Sequence, residues 1–377
     1  MSNTMATHFT LGIEEEFQIV DRNSGQLVSC QALLEKSEAS KSLLSKHIRA
    51  EALQPCLELI TNVCPDVTAL RLDLQQLHAQ LAALVASENL ALISAGTHPN
   101  AHWQDQQYTQ NGSYDRMERE FQDVGRSLLI FGLHIHVSIS SHELAIPLMN
   151  QLRTWLPHLL ALSSNSPFWA NRNSGTKSYR SIVWKRFPRT GVPNLFASST
   201  EYDRFVDDLI RADCIDSAKR IWWDIRPHPQ FNTIEFRVCD MPATLKDTLA
   251  LVSFCQALVA KLTWLHQHNI TIPELPAHYI DENKRFAVRD GLDAHIVDFI
   301  QNRNLSMRDS LHESLNFVDD MLGDLDIRHE IDYLRELIDS PCGTGADRQL
   351  AVYGKTGSIH AVTYYLMQQT MQGYLLV

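Results

Sequence analysis

The amino-acid sequence predicts a single α+β domain that spans residues 1–377. Three segments far apart in the chain alternate apolar and polar residues with a period of two, which is typical of strands with one buried face. Helical periodicity covers much of the remainder, and neither an internal repeat nor a low-complexity linker divides the chain. Because 44% of the residues are hydrophobic, a chain of this length can bury a large core.

The first of these strands is predicted over residues 11–20. Its alternation places Ile13, Phe17 and Ile19 on one side and the carboxylates of Glu14 and Glu16 on the other. Neighbouring carboxylates repel each other and are costly to bury, so they must face water, a cationic side chain or a metal ion. A solvated strand edge protected by charge is the simplest alternative. On either interpretation, replacing Glu14 with Gln is expected to leave the fold intact.

Residues 48–61 follow and are predicted to form one or two strands that carry Glu51 and Glu58. The odd separation of the two acids would point them to opposite faces of an unbroken strand. Pro55 lies between them, and it favours either an edge strand or a bulge that brings the two acids together. The alternative is that both are ordinary surface carboxylates.

Two helices are expected to cover the sheet. Asp66 is in the position of an N-cap for a helix whose leucines form one stripe. Residues 245–266 are strongly apolar and indicate a core helix. The apolar stretch from Thr248 to Leu265 is interrupted by Gln256 and Lys261 and is too short to span a bilayer comfortably.

The second strand, residues 132–140, carries His134 and His136 on its polar face. Residues 171–193 then form a long, polar, arginine-containing segment, which is predicted to be either a functional lid or a solvated loop. The third strand, residues 233–239, carries Glu235 and Arg237 on its polar face, and residues 221–229 with Arg226 are its predicted hairpin partner. One sheet whose second face is a reaction surface explains all three strands. Glu235 is therefore expected, like Glu14, to tolerate a change to Gln without loss of the fold.

Charge and cysteine content exclude several classes of protein. The formal net charge of −11 argues against a protein that coats nucleic acid. Seven scattered cysteines without a Cys-x-x-Cys pair indicate small buried side chains in a reducing compartment. Residues 1–7 lack the design of a signal peptide. We therefore expect a cytoplasmic protein without nucleic-acid or membrane partners.

The acids and histidines on these strands favour Mg²⁺ or Mn²⁺, because carboxylate and imidazole donors suit these ions better than a metal that prefers thiolates. Several carboxylates together indicate more than one ion. Arg226 and Arg237 beside such a site indicate an anionic substrate and phosphoryl transfer. A two-metal hydrolase would use similar ligands, and a non-catalytic binding protein would also retain them.

Six motifs resemble the type 2 glutamate-cysteine ligase family, and most closely its bacterial YbdK-like carboxylate-amine ligases. They extend over most of the chain in a consistent order. The motifs are Leu-Gly-Ile-Glu-Glu-Glu-Phe (11–17), Gly-Leu-His-Ile-His-Val (132–137), Asn-Ser-Pro-Phe-Trp (165–169), Trp-x-x-Phe-Pro-Arg-Thr-Gly (184–191), Arg-Pro (226–227) and Thr-Ile-Glu-Phe-Arg-Val-Cys-Asp (233–240).

The resemblance implies a glutamine-synthetase-like fold, in which a curved, mostly antiparallel sheet is lined by carboxylates and backed by helices. It implies ATP and Mg²⁺ or Mn²⁺ as cofactors, and a carboxylate and an amine as small-molecule substrates that are joined into an amide through an acyl phosphate. A homo-oligomer is compatible with it.

The resemblance also implies roles for individual residues. The implied metal ligands are Glu14, Glu16, Glu51, Glu58, His136 and Glu235. Arg226 and Arg237 are the implied catalytic contacts. Arg180 and Arg189 are implied to bind substrate carboxylate or phosphate, and Arg348 to bind nucleotide. Glu15 points to the apolar side of its strand, where a buried pairing with an arginine is the expectation.

Overall fold

The computed structural model describes residues 9–110 and 112–375, so the predicted absence of a signal design in residues 1–7 lies outside the described part. Its strands are, in order, β1 (Leu11–Asp21), β2 (Ile48–Ala50), β3 (Cys56–Ile60), β4 (Leu90–Ile93), β5 (Gly132–Ser138), β6 (Phe168–Trp169), β7 (Arg172–Asn173), β8 (Thr190–Gly191), β9 (Trp222–Trp223), β10 (Ile225–Pro227), β11 (Thr233–Asp240), β12 (His295–Asp298) and β13 (Arg303–Ser306). Its α-helices are α1 (Gln31–Ala39), α2 (Val67–Ser87), α3 (Gly112–Arg126), α4 (His142–Leu152), α5 (Leu156–Ser163), α6 (Tyr179–Trp184), α7 (Ser199–Arg211), α8 (Leu245–Gln267), α9 (Ala277–Asp290), α10 (Met307–Phe317), α11 (Leu322–Leu325), α12 (Arg328–Asp339), α13 (Gly345–Thr356) and α14 (Ile359–Leu375).

The central sheet is antiparallel at every pairing between its described strands. Its order is β10-β11-β5-β1-β3-β2, and β4 pairs with the far end of β1. Helices α2 and α8 pack on one face of this sheet, where α2 contacts β1 and α8 contacts β5. The predicted α+β class and the mostly antiparallel sheet are therefore confirmed. The prediction of a single domain over residues 1–377 remains a prediction.

Strand β1 lies in the interior of the sheet, and from Leu11 to Ile19 its core face carries an apolar residue at every second position except Glu15. Ile13, Phe17 and Ile19 are at most 1% exposed and belong to the main hydrophobic core. Glu14 and Glu16 point to the other face, where Glu14 lies opposite His134 of β5 and Glu16 lies opposite Glu58 of β3. The alternation thus separates a core face from a polar face over residues 11–16, whereas residues 17–20 are buried on both faces.

Glu51 and Glu58 meet through a hairpin. Strands β2 and β3 pair antiparallel, and Pro55 lies in the turn between them. Pro55 is therefore outside both strands, and the predicted bulge is wrong. The other alternative, an edge strand, holds for β2, which ends the sheet order. The reversal of the chain at the turn brings the two acids to one face despite their odd separation.

The covering helices have the predicted ends and faces. The Asp66 side chain accepts a hydrogen bond from the Ala69 amide at 2.7 Å and caps α2. The prediction that the apolar stretch from Thr248 to Leu265 is too short to span a bilayer is wrong, because α8 is long and apolar enough to cross a membrane. However, 89% of its most apolar 18-residue window is buried inside the protein. It is the core helix that its composition indicates.

Glu15 pairs with a histidine and not with the expected arginine. Its carboxylate contacts His78 Nε2 of α2 at 2.5 Å and accepts a hydrogen bond from the Thr248 hydroxyl of α8 at 3.2 Å. Both Glu15 and His78 are buried. Glu15 thus links β1 to both helices on the core face, opposite to Glu14 and Glu16.

Residues 171–193 are more regular than a lid loop. They contain β7, α6 and β8, and the short strand β8 pairs in parallel with β9. The buried side chains of Arg180, Val183 and Phe187 attach this segment to the body of the protein. The predicted alternative of a solvated loop is therefore wrong. The β12–β13 hairpin lies in a part of the chain where only helices were expected.

His98 provides a test of buried neutral imidazole. The ring is 0% exposed, its Nε2 lies 3.0 Å from the Gly25 carbonyl oxygen, and its Nδ1 accepts the Ala101 amide hydrogen at 3.1 Å. Only the neutral tautomer satisfies both partners, and burial lowers the pKa of His98 to about 4, against the opposing effect of the Gly25 hydrogen bond. The unfolded chain, with a histidine pKa of about 6.5, therefore takes up a proton that the folded chain does not.

We expect this proton to reduce the free energy of unfolding as the pH falls from about 6.5 to about 4, by roughly 3 kcal/mol in total. His98→Gln removes this titration. The free energy of unfolding of the variant, measured with urea, should therefore fall by about that much less over the same pH range. His266→Gln, at an exposed histidine, is the matched control. Equal pH dependence of the wild type and His98→Gln would contradict the prediction.

Candidate active site

Carboxylates and imidazoles converge on the face of the central sheet that is opposite the covering helices. Three overlapping groups have potential ligand atoms within 4.8 Å of one another. The groups are Glu16–Glu51–Glu58, Glu14–Glu58–His134 and Glu14–His136–Glu235. The structure thus brings together all six residues that the sequence analysis assigned to metal, and it adds His134.

Strand register produces this arrangement. Glu14 of β1 faces His134 of β5, and His136 of β5 faces Glu235 of β11. Each pair joins strands that are far apart in sequence but adjacent in the sheet. Because side chains alternate between the faces of a strand, all four point to the same side.

One end of this face, the acidic end, consists of Glu16, Glu51 and Glu58. Burial, followed by the charge of Glu51, raises the pKa of Glu16 to about 7. Burial and the charges of the neighbouring glutamates raise the pKa of Glu58 well above its usual value. The Tyr114 hydroxyl of α3 donates to Glu51 Oε2 at 3.3 Å. Three buried carboxyl groups this close together are a favourable site for a divalent cation, whose positive charge would relieve the repulsion between their ionised forms.

The other end, the basic end, is organised around Glu235. Arg226 binds both of its carboxylate oxygens, with Nε 2.7 Å from Oε2 and Nη2 3.1 Å from Oε1, and Arg237 Nη1 also contacts Oε1. Burial favours the protonated acid, but the charges of Arg237 and Arg226 outweigh it and hold the pKa of Glu235 well below its usual range. The guanidinium of Arg237 also lies over the Trp184 ring, 5.9 Å from its centroid.

Glu14 and the two histidines connect these ends. His134 Nδ1 lies 2.8 Å from Glu14 Oε2, and His136 Nε2 lies 3.5 Å from Glu14 Oε1. Burial, followed by the charge of Arg237, lowers the pKa of His134 to about 4, so the ring is neutral at pH 7. Within residues 9–110 and 112–375, the buried Nε2 atoms of His134 and His136 make no hydrogen bond. Neutral imidazole nitrogen beside carboxylate oxygen is a donor set that fits Mn²⁺ or Mg²⁺.

The three implied anion-binding arginines lie in different places. Arg180 is buried and lines the cavity above the acidic end, where its guanidinium donates to the carbonyl oxygens of Arg237 and Val238. Arg189 lies behind the cavity wall, donates from Nε to the Arg220 carbonyl oxygen at 2.9 Å and stacks over Trp222.

Arg348 lies on the helix side of the sheet, where its Nη2 is 3.0 Å from Asp247 Oδ2 at the start of α8. The structure does not bring Arg348 to the polar face, because a buried acid that is distant in sequence holds it elsewhere.

A cavity of about 660 Å³ lies over the acidic end. Trp184, Phe187 and Trp222 form an aromatic wall on one side of it, and Tyr114 with Met117 of α3 line another side. Sequence reasoning assigned no binding role to these residues. The aromatic content of residues 184–187 was a signal, but Trp222 was interpreted only as part of a strand.

The whole chain is similar to known proteins. The sequence profile of glutamate-cysteine ligase family 2 (GCS2) matches residues 10–374. A protein of Sorangium cellulosum named "Putative glutamate--cysteine ligase 2" is 44% identical over 365 residues, which are 97% of each chain. A protein of the same name from Solibacter usitatus is 40% identical over 373 residues, or 99% of this chain and 96% of that one.

Two solved structures have the same fold at low sequence identity. The glutamate–cysteine ligase of Francisella tularensis in complex with AMP has a TM-score of 0.71 at 15% identity, over 98% of this chain and 90% of that chain. The bifunctional glutathione synthetase of Pasteurella multocida has a TM-score of 0.74 at 14% identity, over 98% of this chain but only 53% of that chain. These likenesses confirm the predicted fold.

Proposed function

Because the chain belongs to glutamate-cysteine ligase family 2, we propose that it is an ATP-dependent ligase that joins a carboxylate to an amine through an acyl phosphate. The single observation that supports this most is the polar face itself, where acids, imidazoles and two arginines fixed on Glu235 converge. Phosphoryl transfer depends on positioning and charge neutralisation, and these groups are equipped for both.

The residues that would hold divalent cations are Glu14, Glu16, Glu51, Glu58, His134, His136 and Glu235. When bound, Mg²⁺ or Mn²⁺ supplies charge neutralisation for phosphate oxygens. The remaining work falls to the protein. Arg226 and Arg237 are oriented by Glu235 before any substrate arrives. A guanidinium held in this way stabilises developing negative charge without having to reorganise.

The proposed reaction has two steps. A carboxylate oxygen of the first substrate attacks the terminal phosphorus of ATP, the bond to the bridging oxygen breaks, and ADP departs with that electron pair. The amine nitrogen then attacks the acyl carbon, the carbon–oxygen bond to phosphate breaks, and inorganic phosphate leaves. The nitrogen loses a proton to a carboxylate oxygen of the polar face. Arg226 and Arg237 bind the oxygens that gain charge in both steps.

Water must be kept from the acyl phosphate, which it would hydrolyse. We assign this task to residues 171–193, since Trp184 and Phe187 of that segment already cover the cavity and Trp184 packs against Arg237. The relatives named above carry glutamate–cysteine ligase names, so γ-glutamylcysteine formation is one case of the proposed reaction. All seven cysteines are free and five of them are buried, which accords with a reaction in the reducing cytoplasm.

The test of this proposal is ADP release by the purified chain with ATP and Mg²⁺. Glutamate and a panel of other carboxylates are each combined with cysteine and a panel of small amines. We expect ADP release to require the carboxylate, the amine and the divalent ion together. Product formation without ATP would instead indicate a metal-dependent hydrolase that uses the same acids.

A further inference from the structure

We propose that the cavity over the acidic end receives a substrate with a large apolar group, namely an aryl or branched alkyl carboxylate or amine. This inference rests on the proposed ligase function and names the class of one of its two organic substrates. It starts from the size and lining of the cavity, which do not suit a small polar amino acid.

The aromatic wall is continuous. The rings of Phe187 and Trp222 have centroids 4.7 Å apart, and the rings of Trp184 and Phe187 stack at 6.1 Å. Phe121 supports them from behind, 4.4 Å from Phe187. Because each ring contacts its neighbours, the wall presents a preformed apolar surface on which an aryl or alkyl group can pack.

Aliphatic side chains line the cavity from other directions. They come from the β2–β3 turn, from α3 and from the segment before β5, and they are Leu53, Met117, Leu128 and Ile130. At about 660 Å³ the cavity is in the range that accommodates drug-sized molecules. Cysteine or glutamate would leave most of this apolar surface in contact with water, whereas a bulky apolar group would cover it.

Charge separates this cavity from the part of the site that suits a nucleotide. Glu16, Glu51 and Glu58 form its floor, and Arg237 lines it as well, whereas Arg226 does not. The basic end attracts phosphates through Arg226 and Arg237. A second cavity, of about 360 Å³, lies at that end beside His228, whose ring contacts His136 at 5.3 Å between centroids. The polyanion of ATP is therefore expected at the basic end, which leaves the aromatic chamber for an organic substrate.

Of the four cationic side chains that line the chamber among the described residues, Arg180 and Arg220 agree with this division. Arg220 at its rim is already paired with Glu120 at 2.7 Å and with Asp216 at 3.1 Å. Arg180 also lines the chamber, and its buried Nε makes no hydrogen bond to any described residue. Arg180 can therefore donate a hydrogen bond to a carboxylate of the substrate, whereas Arg220 is already bound to two acids at the rim.

The experiment measures ADP release at fixed ATP and Mg²⁺ in two arms. One arm combines glutamate with benzylamine or isoamylamine, and the other combines phenylacetate or 4-methylvalerate with methylamine. Glutamate with cysteine is the reference pair. We expect the best apolar pair to exceed the reference in kcat/KM by at least about 10-fold. The arm in which that pair occurs identifies whether the amine or the carboxylate carries the apolar group.

Variants locate the effect. Trp222→Ala is expected to lower kcat/KM for the apolar pair by about 10- to 100-fold and to change the KM for ATP by less than about twofold. Trp264→Ala, at a half-buried tryptophan of α8 that stacks on His268 outside the site, is the matched control and should leave the kinetics unchanged. Met117→Trp, which fills the chamber, should raise the KM for the apolar substrate even if Trp222→Ala does not fold.

Three outcomes would overturn the inference. A reference pair that is used better than every apolar pair would refute it and leave the proposed ligase function standing. A rise in the KM for ATP in Trp222→Ala, with the organic substrates unaffected, would show that the wall binds the nucleotide base. If no pair supports ADP release although the protein binds ATP, the ligase function itself is refuted.

Discussion

Replacement of Glu14 by Gln is expected to reduce ADP release by at least about 10²-fold while the protein stays folded. Glu14 is shared by two of the three carboxylate and imidazole groups, so its loss affects both ends of the polar face. Its side chain is 25% exposed and contributes little to the core. A glutamine side chain can still hydrogen-bond to His134, but it cannot supply the negative charge that a divalent cation requires.

The measurement for Glu14→Gln is steady-state ADP release together with thermal unfolding. Glu118→Gln is the matched control, because Glu118 is 26% exposed and pairs with Arg126 at 2.9 Å outside the site. We expect activity to fall only in Glu14→Gln and the melting temperature to change little in either variant. Turnover in Glu14→Gln within a few-fold of the wild type would remove Glu14 from the site.

Replacement of Glu235 by Gln is expected to abolish activity and also to destabilise the fold. The sequence predicts that this substitution spares the fold, but the structure changes that expectation, because Glu235 is 1% exposed and bound to two arginines. The variant leaves Arg226 and Arg237 buried without their common counter-charge. Breaking a buried ion pair by removing one partner costs ~3–5 kcal/mol of unfolding free energy.

Chemical unfolding and ADP release together test this second prediction. Asp224→Asn breaks the buried pair of Asp224 with Lys284 and provides a control of similar expected instability. We expect both variants to lose stability, but only Glu235→Gln to lose activity at temperatures where both are folded. Full stability of Glu235→Gln would show that the two arginines do not depend on this carboxylate.

Local periodicity accounts for the part of the site that the sequence predicted. A period of two is legible within a single segment, so Glu14, Glu16, His136 and Glu235 could be placed on polar strand faces without knowledge of the fold. The same rule places Glu15 on the core face, but it cannot name a partner that comes from a distant helix. His78 of α2 fills that role, where an arginine was expected.

The remaining features depend on contacts between distant elements. Glu51 and Glu58 share a face because the chain reverses in a turn, which a parity argument along one strand cannot detect. The aromatic wall is assembled from α6, the segment that follows it and β9, and no single segment carries its pattern. Arg348 follows a glycine-rich segment, but its ion pair with Asp247 holds it on the other side of the sheet. The positions of such residues can be recognised only from the folded sheet and the elements that pack on it.

The most direct measurement of the central claim uses the carboxylate substrate of the most active pair, labelled with ¹⁸O in its carboxyl group. Inorganic phosphate is collected after turnover with ATP and Mg²⁺ in unlabelled water. If the polar face transfers the phosphoryl group to the carboxylate, each phosphate released should carry one ¹⁸O atom from the substrate, and Glu14→Gln should release almost none. Phosphate without substrate oxygen, formed at the same rate as product, would contradict the account.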